Sequence, residues 1–87
     1  MAAEGINPEI VAVVRELEQE ILELEPEAKF RLAPGSEPQF IDFTVYTPAG
    51  QMALPANIMG RLDDVWRSHH VYIITVIYPL DLYTEDN

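Results

Sequence analysis

His69 and His70 are the only histidines of the 87-residue chain. A metal site or proton relay built on one helix wants its imidazoles at i and i+4; adjacent residues at a helix end present their nitrogens in different directions. Imidazoles there suit a structural role, because they interact favourably with the helix dipole and the last carbonyls. Asp63-Asp64 invites an acid/base or metal reading. Successive helical side chains diverge by about 100°, however, and Asp63 stands four residues before Arg67, the spacing of a surface ion pair. Ser36 lies in a proline-rich loop and Ser68 lacks a third partner in sequence, so neither makes a nucleophilic triad. Phosphate loops, EF-hand loops and dinucleotide fingerprints are absent. Without cysteine there is no thiolate nucleophile, thiolate metal site or disulfide. The sequence therefore leads us to expect no catalytic residue, no metal and no cofactor.

What remains is aromatic and acidic surface. Trp66 reads by default as core, whereas Tyr72, Tyr78 and Tyr83 fall where a sheet surface would meet a partner. Glu9, Glu16, Glu20 and Glu23 share one side of a helix, opposite its apolar stripe. Like charges at this spacing cost about 0.2–0.5 kcal/mol per pair. The face reads as a solvated surface or as a docking site for a basic protein.

The net charge of −10 is unevenly placed. Residues 1–27 carry eight acids against Arg15 (net −7), residues 28–79 balance at zero, and residues 80–87 add −3. Five Lys and Arg in all argue against a nucleic-acid backbone or an anionic membrane as partner. Hydrophobic content of 48 % argues for a folded globule, and the length for a single domain. A cytoplasmic address is the expectation, since cysteine is lacking and the start Met-Ala-Ala-Glu-Gly has neither the basic residues nor the apolar run of a signal peptide. No stretch reaches the ~18 apolar residues of a membrane helix.

The elements that would position these residues follow from periodicity. Residues 1–6 read as a loose lead-in. Asn7-Pro8-Glu9 then opens a helix with an N-cap, a proline at the first turn and an acid behind it. Ile10, Val14, Leu17, Ile21 and Leu24 make its stripe, with Val13 widening it, and Pro26 ends the helix. Residues 28–33 alternate Phe30 and Leu32 with Lys29 and Arg31, a half-buried strand; residues 34–38 form a loop, and residues 39–46 resume the sheet. The shortest comfortable loop sets Arg31 opposite Asp42 and Lys29 opposite Thr44. Thr47-Pro48-Ala49-Gly50 is a turn. Residues 51–54 read either as a short extra strand or as the approach to a second helix, which would start at Pro55 and carry Ile58, Leu62, Val65, Trp66 and His69 on one stripe.

Residues 71–78 make the last strand, composed solely of β-branched and aromatic side chains. Val71, Ile73, Thr75 and Ile77 face one way; Tyr72, Ile74, Val76 and Tyr78 face the other. Phe40 and Tyr46 of the preceding strand lie on a comparably apolar outer face. Burying one side in a core leaves the second wanting a cover. Residues 80–87 form an acidic tail.

The expected fold is α+β: two layers in the order α-β-β-(β)-α-β, with the helices on one face of a small mixed sheet. This order resembles the KH-like domains that include the BolA proteins, and equally a ferredoxin-like domain lacking its first strand. The sequence departs from the motifs of the KH and BolA proteins. It has no GxxG clamp, and its second helix, residues 55–69, is not the basic, histidine-bearing helix of BolA proteins. By function we expect a small acidic, non-enzymatic interaction module, homodimeric through Phe40, Tyr46, Tyr72, Ile74, Val76 and Tyr78. Glu16, Glu20 and Glu23 would engage a basic protein, as in an inhibitor, antitoxin or adaptor. The alternative is a ligand-binding domain or small enzyme whose pocket forms at the dimer seam.

Overall fold

The computed structural model describes residues 5–84. The ends of the expected lead-in and acidic tail, residues 1–4 and 85–87, lie outside the described residues. The elements are α1 (Pro8–Leu24), β1 (Lys29–Pro34), β2 (Phe40–Thr47), α2 (Ala56–His69) and β3 (Tyr72–Pro79), followed by a single 3₁₀ turn, Leu80–Leu82. The sheet runs β1-β2-β3, with β1 antiparallel and β3 parallel to β2.

The Asn7 side chain caps α1, its oxygen accepting from the Glu9 amide at 2.8 Å, and Pro8 needs no partner for a nitrogen that carries no hydrogen. Ile10, Val14, Leu17 and Ile21 are buried as the stripe requires. Leu24 is not: at the last turn it is 54 % exposed. In its stead the helix buries Glu18, whose carboxylate accepts from Arg15 at 2.7 Å.

Inward-facing Leu32, Ile41, Phe43, Val45 and Ile73 meet the α1 stripe together with Ile58 and Val65 of α2, so both helices cover one face of the sheet. Phe30 adds a stacked contact to Phe43, centroids 5.9 Å apart. Each such side chain, fully buried, contributes about 1.5–3 kcal/mol of transfer free energy.

The β1–β2 register differs from the expected one by two residues. Arg31 opposes Thr44 and Lys29 opposes Tyr46, not Asp42 and Thr44. The closing pair is Gly35–Phe40, where the Gly35 amide donates to the Phe40 carbonyl at 2.9 Å. The shorter register would close on Pro34, which has no hydrogen to give. Strand pairs alternate between bonded and non-bonded, so Pro34 opposite Ile41 falls in a non-bonded pair and forfeits nothing. Gly35 is also needed for space, since a Cβ there would sit 2.8 Å from Phe40 atoms.

The turn at 47–50 forms as expected, with the Gly50 amide donating to the Thr47 carbonyl and Gly50 at φ 75°. Residues 51–55 form no strand and are only the approach to α2. Pro55 is the cap of α2, one position before its first helical residue. At the other end His70 takes the left-handed conformation (φ 56°) and its amide donates to the Trp66 carbonyl, closing the helix where glycine is usual.

Candidate functional site

Ile73 is 8 % exposed, whereas Tyr72, Ile74, Val76 and Tyr78 are 47, 43, 38 and 45 % exposed. The strand's alternation thus splits it into a core side and an open side. Neither α1 nor α2 lies over the open side, because both pack on the opposite face of the sheet. The outcome is a contiguous apolar band along the outer face of β3.

The neighbouring residues on β2 are partly withdrawn from that band. Phe40 pairs with Tyr72 at 6.0 Å and is half-buried. Tyr46 is 8 % exposed, flanked by Tyr78 at 6.2 Å and by Tyr83 edge-on at 5.1 Å. Tyr83 is held by Arg31, whose guanidinium carbon stands 5.4 Å from its ring centroid and which donates to the Thr84 carbonyl. The chain after β3 therefore folds back over the β1–β2 side of the outer face. Tyr46, an expected interface residue, is thus covered by a clasp from within its own chain. The clasp's one signal was a lone arginine on the outward face of β1.

The two edges of the sheet are unlike. β1 carries Lys29, Arg31 and Pro34, which blunt an edge against further pairing. β3 carries no charge, and its pairing with β2 runs without a bulge from Tyr72 to Pro79. The Tyr72 amide donates to the Gln39 carbonyl on the β2 side, at 2.7 Å. By alternation, the amides and carbonyls of Ile73, Thr75 and Ile77 point off the sheet. Beside the start of this edge runs an apolar groove of about 270 Å³, lined by Leu54, Met59, Leu62, Trp66, Tyr72 and Ile73 together with Asp63. Trp66 stacks on Tyr72 there.

The Glu-rich side of α1 is occupied from within. Arg61 of α2 donates to Glu16 and, at 3.4 Å, to Glu20; Asn57 also donates to Glu20. His69 stands 3.7 Å from Glu9. Glu9, Glu16 and Glu20 thus form a line on α1 matched by His69, Arg61 and Asn57 on an antiparallel α2. The repulsion along the acidic stripe is offset by these partners. Glu23, a turn further on, has no ion-pair partner among the described residues.

Of the groups that might have done chemistry, Asp64, Ser68 and His69 line one small hollow of about 110 Å³ with Arg61, and the others lie apart. Asp63 pairs with Arg67 at 3.0 Å on the surface, His69 faces Glu9, and His70 closes α2 against the edge of Trp66. Among the described residues no three His, Asp or Glu side chains gather as metal ligands would. No described helix is long and apolar enough to cross a membrane. The one other sizeable hollow, about 320 Å³, opens between the start of α1 and the β1–β2 loop, and Glu37 is its one ionisable neighbour among the described residues. Burial raises the Glu18 carboxyl above its ordinary value of 4.5, opposed by the charge and hydrogen bond of Arg15; it lies on α1 and fronts none of these hollows.

No protein-family model, no curated protein and no solved structure matches this chain.

Proposed function

We propose that the protein is a non-enzymatic protein-interaction module that works as a homodimer, with β3 supplying the contact surface. The observation that carries this reading is the uncovered apolar band of Tyr72, Ile74, Val76 and Tyr78 on an edge strand. Soluble monomers rarely leave such a patch bare. The ligand-binding alternative has less support: the hollow of about 320 Å³ and the groove of about 270 Å³ gather no convergent polar groups, and the one lined by Arg61, Asp64, Ser68 and His69 holds only about 110 Å³, below the ~300–1,000 Å³ typical of ligand pockets. A basic client at α1 is a secondary role. It would have to use Glu23, Glu25 and Glu27, since Glu16 and Glu20 already bind α2.

Truncating the two sides of β3 tests the reading. Ile73→Ala should destabilise the folded chain by roughly 2–4 kcal/mol at every concentration. Ile74→Ala should leave the melting temperature of the dilute protein nearly unchanged and weaken association at higher concentration. An Ile74→Ala variant that associates as the parent chain does would remove the band from the interface.

A further inference from the structure

The hydroxyl of Thr75 is the one side-chain polar atom among the described residues that is shut off from solvent and has no hydrogen-bond partner. Such a group carries an uncompensated desolvation penalty, and natural structures nearly always satisfy it. Thr75 stands at the middle of β3, on the core-facing side, and its backbone amide and carbonyl are among those directed off the open edge. The backbone amide and carbonyl of Thr75 are thus open at the edge, while its hydroxyl is enclosed on the core side of the same residue.

We infer that this edge pairs antiparallel with β3 of a second copy, with Thr75 on the two-fold axis, joining two three-stranded sheets into one continuous sheet of six. The inference rests on the homodimeric reading above and places the contact at the edge of β3, where the outer-face residues of the two copies meet side by side. Thr75 fixes the register. Turned about χ1 from its enclosed position toward the seam, each hydroxyl meets a partner only when it faces Thr75 of the second copy, since threonine pairs across neighbouring strands hydrogen-bond to one another. A slip of two residues either way would set Thr75 against Ile73 or Ile77, leaving both hydroxyls bare. The same register sets Ile73 against Ile77, Ile74 against Val76 and Tyr72 against Tyr78. Every opposed pair is then chemically matched, and a two-fold axis makes each contact occur twice.

The groove fits the arrangement. It is floored by Ile73, and Ile77 of the second copy, directly across the ladder, would enter it between Leu54, Met59 and Trp66. The charges fit as well. β3 is uncharged although the chain carries −10, so strand-on-strand approach brings no like charges into direct opposition. β1 is unsuited as the seam because its lysine, arginine and proline blunt it.

The chain has no cysteine, so Thr75→Cys installs a single thiol. Residues opposed in a hydrogen-bonded pair have Cα atoms about 5.5 Å apart, within the span a disulfide bridges. Val76→Cys serves as the comparison: it would oppose Ile74, and its own copy lies diagonally at about 7–8 Å. Under mild oxidation at a concentration where the parent chain is dimeric, Thr75→Cys should become a covalent dimer and Val76→Cys should lag at least tenfold in rate. A dimeric parent whose Val76→Cys variant links as fast as or faster than Thr75→Cys would mean that outer faces pack together. That result overturns the seam and leaves the homodimer standing. A parent chain that stays monomeric, with neither variant linking, overturns both. Thr75→Pro guards against a thiol variant that fails to fold. Proline is tolerated on an edge strand where its nitrogen faces outward, so the variant should fold as a monomer. A folded Thr75→Pro that remains dimeric contradicts the seam.

Discussion

Trp66 of α2 lies flat against Tyr72 of β3, ring centroids 4.2 Å apart and planes 10° from parallel. The contact joins the second helix to the start of the edge strand and forms one wall of the groove beside it. Trp66 is the only tryptophan, so its emission reports on that groove alone. Filling the groove with Ile77 of a second copy would strip water from the indole. The emission maximum should therefore move to shorter wavelength as concentration rises through the dimer transition. An unchanged spectrum across a measured transition would place the contact elsewhere.

Arg61 ties α2 to α1 through Glu16 and Glu20, and all three side chains retain solvent contact. Exposed pairs contribute about 0–1 kcal/mol each. Arg61→Ala should lower the melting temperature by several degrees, since ~1 kcal/mol corresponds to about 4–8 °C in a domain of this size. Glu23→Gln should leave it equal or higher, because it removes repulsion and breaks no ion pair. Equal losses from Arg61→Ala and Glu23→Gln would show that the two helices are not held by this line.

Burial raises the Glu18 carboxyl above 4.5, against the lowering influence of Arg15. A carboxyl raised in the folded state binds its proton more tightly there than in the unfolded chain. Its ionisation therefore costs stability above the folded value, and that cost disappears as the pH falls to 4.5 and below. Glu18→Gln keeps an acceptor for Arg15 and removes the ionisation. The variant should match or exceed the parent's melting temperature at neutral pH, with the advantage shrinking as the pH falls toward 4.5. A difference that widens on acidification would give Glu18 the opposite sign.

Much of this fold could be read from residue order. The α1 cap and stripe, the alternating strands and the apolar last strand each depend on local spacing, which the sequence carries directly. The β1–β2 register escaped because it turns on which residue closes the loop: Pro34 cannot donate and Gly35 can, and Gly35 alone leaves room beside Phe40. The partners of the acidic side of α1 are not legible because Asn57 and Arg61 stand 37 and 45 residues from Glu20 and Glu16, and His69 further still from Glu9, on a helix whose facing side only the tertiary packing sets. Tyr46 reads as an interface residue from its outward position, because nothing local signals that Tyr83 returns over it, held by Arg31. Thr75 is the reverse case: the strand was evident, and the isolation of its hydroxyl emerged only from packing.

Sedimentation equilibrium of the unmodified chain, across a wide concentration range and at two salt levels, bears most directly on the claim that β3 brings two copies together. The mass should climb from 9.9 kDa toward twice that value as concentration rises. Added salt should shift the climb to lower concentration, because about 0.1 M salt cuts the reach of repulsion between two strongly acidic copies to ~10 Å and leaves apolar contacts intact. A mass that holds at 9.9 kDa from micromolar concentration upward, at either salt level, would contradict the account.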